Sequence, residues 1–308
     1  MRKVAVVTTG FFDGVHLGHR HVLSAVVSSA RERGEEAVVV TFWPHPRTVL
    51  QQDAREFRIL TSLEEKKALL LAAGIDRVEV IPFTREFAAM KADEYLQLLA
   101  DKYGASLVVM GYDNRIGSDK LTAEEIGISQ AVAPRPLPTS LRSVGPLPFT
   151  WPRAAMVSED SNAPVISSTK IRKALQEGRV EEANGMLGYR YGLYGVVVAG
   201  NQMGRTMGFP TANMQLYEPL KLVPANGVYA VEAEVLGTTY KGMCNIGMRP
   251  TVGGASRTIE THILDFDQDI YGLPLRIRFL RRIRDERIFP SLEALREQLT
   301  LDALNCKK

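Results

Sequence analysis

Cysteine is scarce in this chain: Cys244 and Cys306 are the only two among 308 residues, far apart and in no metal-ligand spacing. That excludes a disulfide framework and a thiolate-held metal, and it fits a reducing compartment. Long apolar runs are missing too. No stretch approaches the roughly 18–20 apolar residues of a membrane-spanning helix. The opening carries Arg2 and Lys3 but no apolar run of signal-peptide length. The expectation is a cytoplasmic enzyme with no membrane partner. A large charge excess is also absent. The net charge of +3 says little for nucleic acid and suits anionic small substrates equally well. Six arginines do fall between Arg276 and Arg287. Arg276 and Arg278, however, alternate with Leu275, Ile277 and Phe279 as the outer face of a strand. No aromatic stacking platform interleaves the run, so nucleic acid is not an expected partner.

What is present points to two ordinary globular domains. Hydrophobic residues make up 45% of the chain and charged residues 24%, enough to build proper cores, and the length exceeds one typical domain. In the first half, Val4–Thr8, Ala37–Phe42, Val78–Ile81 and Ser106–Met110 read as short buried strands. Helical patterns lie between them, around Gly18–Arg33, Ser62–Ala73 and Ala92–Tyr103. This alternation predicts a doubly wound α/β domain with a parallel sheet.

After a helical stretch near Thr169–Leu187 the character changes. Tyr194–Val198, Gly227–Glu234, Thr239–Asn245, Thr258–Leu264 and Leu275–Phe279 are closely spaced strand candidates separated by turn residues, and a helix follows from about Ser291 to Leu301. The expectation is a small antiparallel β-barrel with a C-terminal helix, and domains of 1–186 and 187–308. Between Ala133 and Pro152 lie six of the 16 prolines. That density predicts irregular backbone over 133–152.

The strongest local signal is Thr9-Gly10-Phe11-Phe12-Asp13-Gly14-Val15-His16-Leu17-Gly18-His19, which follows a strand and opens a helix. Gly14 and Gly18 permit close backbone approach, and a helix N-terminus presents N–H groups to phosphate. His16 and His19, three apart, can face one phosphate and stabilise charge at an attacked phosphorus. The alternative is a pair of solvated or helix-capping histidines. Metal binding is the weaker option, since no third ligand accompanies them.

These residues resemble the H-x-G-H signature of the nucleotidyltransferase superfamily. In extended form they are similar to the bacterial bifunctional riboflavin kinase/FAD synthetase family. Thr41-Phe42-Trp43-Pro44-His45-Pro46 and Ser167-Ser168-Thr169-Lys170-Ile171-Arg172 resemble two further motifs of that family. The resemblance implies that Gly10, Phe12, Asp13, Gly14 and Gly18, with Ser168, Thr169 and Arg172, hold ATP phosphates while His16 and His19 are catalytic. Hydroxyls and an arginine at a helix start suit triphosphate on chemistry alone; a plain capped helix is the other reading. Gly111-Tyr112-Asp113-Asn114-Arg115-Ile116-Gly117 departs from the family pattern, with Asn114 and Ile116 in place of two aromatics.

In the second half, Gly204-Arg205-Thr206-Met207-Gly208-Phe209-Pro210-Thr211-Ala212-Asn213 joins glycines, a cation and two hard oxygen donors, Thr211 and Asn213, suited to Mg²⁺ beside nucleotide phosphates. A polar turn is the alternative. Along Thr258–His262, Thr258, Glu260 and His262 alternate to one face, so Glu260 is a candidate general base or a solvated carboxylate. Taken with Asn226-Gly227-Val228-Tyr229 and the Asn245–Thr251 segment, these motifs resemble the riboflavin kinase barrel. That resemblance implies ATP at Gly204, Arg205 and Gly208, Mg-ATP on Thr211 and Asn213, flavin at Asn245 and Arg249, and Glu260 activating the ribityl hydroxyl; the first-domain resemblance implies flavin at Asp113. The implied reactions are riboflavin plus ATP to FMN, then FMN plus ATP to FAD and pyrophosphate, with small-molecule partners only. Two alternatives stay open: a monofunctional kinase with a degenerate N-terminal regulatory module, and a nucleotidyltransferase for another metabolite.

Overall fold

The computed structural model describes residues 4–50, 57–111, 114–122, 125–126, 166–200, 203–251 and 254–307. Asp113 and the proline-dense 133–152 segment lie outside them. The chain divides into two compact units, Met1–Ile166 and Ser167–Lys308.

In the first unit, four strands form a sheet: β1 (Ala5–Thr9), β2 (Glu36–Trp43), β3 (Arg77–Pro82) and β4 (Ala105–Val109). Their order is β3-β2-β1-β4, and every pairing is parallel. Three longer helices accompany them: α1 (Leu17–Arg33), α2 (Leu63–Ala72) and α3 (Ala92–Tyr103). Strand side chains alternate between faces, so Val6, Val39 and Val109 bury against Leu23, Val26 and Ala30 of α1 and Leu70 of α2. Val7, Val38, Val40 and Val108 bury against Tyr95, Leu96 and Leu99 of α3. Both faces are covered, which is why these strands read as continuous apolar runs. The strand order reverses between β1 and β4, and sheets of this kind bind ligands outside the carboxyl ends of their strands at such a switch point.

The second unit begins with two helices, α4 (Ser168–Gln176) and α5 (Val180–Leu187). Gly178, at φ +76°, separates them. They pack on a closed antiparallel barrel of β5 (Gly192–Val198), β6 (Ala212–Leu216), β7 (Gly227–Val235), β8 (Thr238–Thr251), β9 (Gly254–Ile263) and β10 (Pro274–Arg284), in the order β10-β5-β6-β9-β8-β7. Strand β6 carries Ala212 and Asn213, directly after Thr211, and was not expected from the sequence. It is only five residues long and has no apolar run to mark it.

Leu275, Ile277 and Phe279 are fully buried. Arg276 and Arg278 face outward and pair with Glu234 on the neighbouring strand. A second apolar layer lies outside the barrel wall, where α6 (Leu292–Lys307) covers Val228, Ala230 and Met243 with Leu299, Ala303 and Cys306.

Candidate active sites

At the carboxyl end of β1 the backbone turns sharply. Phe12 (φ +50°), Gly14 (φ +84°) and Val15 (φ +37°) all take left-handed conformations. Side-chain-bearing residues rarely do so, and such strain collects at functional turns. The surroundings hold the turn. Asp13 is buried, and its carboxylate accepts from the backbone N–H groups of Leu60 at 3.0 Å and Thr61 at 3.1 Å and from the Thr61 hydroxyl at 3.2 Å. Thr61 Oγ1 in turn accepts from Gly14 N–H at 3.1 Å. Gly10 leaves room for the Phe12 ring, which lies 3.2 Å from where a Cβ at Gly10 would stand.

His16 caps α1, its Nδ1 accepting from the His19 N–H at 3.3 Å. The two imidazoles stack with centroids 3.6 Å apart and planes 14° from parallel, and Phe12 meets the His19 ring edge-on at 5.3 Å. Gly18 sits in the first turn of the same helix. Loss of hydration, followed by the neighbouring His16 and Lys66, holds the His19 pKa well below the ordinary imidazole value. His19 is therefore neutral at pH 7 and keeps one N–H to donate. Its Nδ1 has no hydrogen-bond partner among the described residues. The sequence-derived pair is thus brought into contact at a helix start, beside the sheet's switch point.

Lys66 on α2 escaped the sequence reading. It is 1% exposed, and its ammonium donates to the carbonyls of Phe11 at 3.1 Å and Phe42 at 3.3 Å. Glu64-Glu65-Lys66-Lys67 reads as a solvated face, yet Lys66 lies one turn before the buried Leu70, and that spacing was the available signal. Of the two departures from the family pattern, Asn114 Nδ2 reaches the Thr9 carbonyl at the end of β1, 3.4 Å away. Ile116 is buried in the α3-side core. Ser168, Thr169 and Arg172 occupy the first turns of α4 in the second unit, where Ser167 is the cap, accepting from Lys170 N–H at 3.3 Å.

In the barrel, antiparallel register sets Asn213 of β6 opposite Glu260 of β9, and Glu260 opposite Asn245 of β8. Directly opposed residues have Cβ atoms about 4.5–5.5 Å apart, so the three polar side chains form one row on the wall. Thr211 Oγ1 donates to Glu260 Oε2 at 3.4 Å. The Gly204–Pro210 loop leading into β6 is pinned by His262, whose Nδ1 is 2.8 Å from the Pro210 carbonyl. Gly204 is required there, because a Cβ would lie 2.2 Å from the Phe209 carbonyl oxygen. Gly208 takes φ +82° in the same loop, and Arg249 lies on β8.

Two cavities flank this row. One, of about 360 Å³, lies between Arg205–Ala212 and the 263–271 segment and includes Asp267, Asp269 and Tyr271. The other, of about 580 Å³, lies between the barrel wall and α6. Met207, Phe209, Met243 and Leu295 give it apolar walls, and Asn245, Glu260 and Arg284 are among its polar groups. Thr211 lines both cavities. Both volumes fall in the range of small-molecule sites, roughly 300–1,000 Å³. Sequence reasoning missed Arg284 and its buried partner Asp302, joined at 2.8 Å; Asp302 resembles any acidic residue on an exposed helix.

Comparison with known proteins matches residues 1–131 to the FAD synthetase family model and residues 187–308 to the riboflavin kinase family model. The chain is 35% identical over 302 residues to a bifunctional riboflavin kinase/FMN adenylyltransferase of Bacillus subtilis, covering 97% of this chain and 90% of the relative. It is 34% identical over 309 residues to the Escherichia coli K12 protein of the same description, covering 98% and 92%. A solved Streptococcus pneumoniae structure, described as a macrolide-efflux protein, is 32% identical with TM-score 0.86, covering 100% of this chain and 95% of that one. Among the described residues here, no helix is long and apolar enough to cross a membrane.

Proposed function

Because the chain belongs to the bifunctional riboflavin kinase/FMN adenylyltransferase family and carries both domains, phosphorylating riboflavin to FMN and adenylylating FMN to FAD, we propose that Glu260 serves the first reaction and the His16–His19 pair the second. Both family models along one chain favour this bifunctional reading over a kinase with a decayed first domain. We take residues 1–186 and 187–308 as the functional division, acting on small molecules in the cytoplasm.

One observation carries the kinase assignment: Glu260 borders the apolar cavity and is hydrogen-bonded to Thr211, the residue common to both cavities. The apolar cavity takes the flavin ring between the wall and α6, with its ribityl chain toward Glu260. The other cavity takes ATP. The reacting hydroxyl and the γ-phosphate then meet at Thr211. Glu260 accepts the hydroxyl proton, the oxygen attacks the γ-phosphorus, and ADP leaves. General-base help of this kind is worth about 10²–10⁴ in rate.

The donor set fits Mg²⁺. Thr211 and Asn213 offer neutral hard oxygens, and the Glu260 carboxylate lies 3.4 Å from Thr211 Oγ1. That matches a cation held partly by substrate phosphates and water. Thr211 and Asn213 would hold it, and when bound it neutralises phosphate charge.

At the sheet, an FMN phosphate oxygen attacks the α-phosphorus of ATP and pyrophosphate leaves. The nucleophile is already an anion, so no base is needed; positioning and charge stabilisation suffice. The amino end of α1 and the neutral His19 N–H supply donors, with His16 fixing the His19 ring by stacking. Ser168, Thr169 and Arg172, at the start of α4 in the second unit, are proposed as phosphate ligands on the chemistry of their side chains. Following riboflavin, FMN and FAD by chromatography in the presence of ATP and Mg²⁺ tests the assignment. Accumulation of FMN without FAD would remove the second activity.

A further inference from the structure

Lys66 has no role in either reaction as described so far, yet its setting is costly. Burying an ammonium is unfavourable unless it is paired, and here the partners are two backbone carbonyls and two aromatic rings. Phe11 O and Phe42 O accept at 3.1 and 3.3 Å, the Phe11 ring centroid lies 4.0 Å from Nζ, and the Trp43 ring lies 5.8 Å away. Phe11 belongs to the turn after β1, and Phe42 and Trp43 end β2. The ammonium therefore ties together the carboxyl ends of two adjacent strands, next to the stacked histidines. Resting on the assignment of adenylylation to this unit, we propose that Lys66 is the positioning residue of that site, its ammonium clamping the Phe11 turn so that α1 and His19 present their donors to the ATP phosphates.

The clamp works only when charged, because a neutral amine loses the cation–π attraction and most of its hydrogen-bond strength. Burial brings the Lys66 pKa down to about 8, with Asp13 pulling it partly back up. The titratable groups facing it are Asp13 on the turn, His16 and His19 at the start of α1, and His45, whose ring lies 3.8 Å from that of Phe11. Substrate phosphates, with second pKa values of about 6, are fully ionised above pH 7.5. Deprotonation of Lys66 is thus the event expected in the window from pH 7.5 to 9.5.

Bound phosphates favour the ammonium, so the loss belongs to the free enzyme. It is read in kcat/KM for ATP, with kcat changing far less. The experiment follows FAD formation from supplied FMN across that window, for the wild-type full chain and for Lys66→Met. Wild-type kcat/KM should fall about tenfold per pH unit above the transition. Lys66→Met should start about 10²-fold lower, as expected of a misplaced turn, and show no transition. Riboflavin kinase activity, measured in parallel, should be unchanged by the substitution. A flat wild-type profile would overturn the proposal. So would a Lys66→Met protein with full adenylylation, or one that keeps the same alkaline fall. If Lys66→Met does not fold, the wild-type profile alone decides. A wild-type protein that makes no FAD at any pH would instead defeat the assignment of the reaction itself.

Discussion

Thr211 donates to Glu260 across the barrel wall, joining two motifs 49 residues apart through one 3.4 Å hydrogen bond. Thr211 lines both cavities, and Glu260 lines the one beside α6. Under the proposed assignment, the bond marks where the two substrates of the kinase reaction would come together.

The Asp13 carboxylate is spent on the Leu60–Thr61 segment. Asp13→Ala should leave those buried N–H groups unsatisfied, at about 1–3 kcal/mol for each such group. The turn carrying Phe12 and Val15 at positive φ should then relax. The expected result is slower FAD formation and an earlier thermal inactivation of the adenylylation that remains, with riboflavin kinase activity retained. Unchanged thermal behaviour would show that the carboxylate does not hold the turn.

His19 links stability to acid. Its folded-state pKa lies well below the ordinary imidazole value of about 6.5, so between those two values the unfolded chain binds more protons. The contribution is fully present above about pH 6.5 and is lost as the pH falls through the folded-state value. The first unit should lose stability on acidification, and His19→Gln should flatten that slope. Denaturant melts of both proteins between pH 7 and pH 5 measure it; parallel slopes would contradict the assignment.

Asp302 is fully buried and holds Arg284, whose side chain is 17% exposed, at the wall of the cavity proposed to take the flavin. Removing one partner of a buried pair costs about 3–5 kcal/mol. Asp302→Ala should lower the stability of the barrel unit by roughly that amount and raise KM for riboflavin, while adenylylation of supplied FMN continues. Unaltered riboflavin KM in a folded variant would separate Arg284 from flavin binding.

Much of this was legible in the residues. Continuous apolar runs marked the doubly covered strands, and alternation at Leu275–Phe279 marked a barrel strand with a charged outer face. His16 and His19 were legible because glycines and a strand-to-helix change surround them. What escaped depends on tertiary burial. Lys66 and Asp302 look like ordinary polar residues of helices; the spacing to Leu70 was a faint signal for Lys66, and the packing of α2 and α6 reveals that both point inward. Strand β6 escaped because its edges are set by pairing with β5 and β9, not by composition. The row Asn213–Glu260–Asn245 required the barrel register, which no local pattern specifies.

The central claim is that two chemistries reside in two separate sites of one chain. It is tested most directly with His19→Ala and Glu260→Gln, each assayed for both reactions and then mixed. His19→Ala should form FMN from riboflavin but no FAD. Glu260→Gln should form FMN at least about 10²-fold more slowly than wild type, yet convert supplied FMN to FAD at the wild-type rate. The mixture should regain FAD formation from riboflavin, because FMN made by one variant is consumed by the other. Loss of both activities in either folded variant, or a mixture that makes no FAD, would contradict the account.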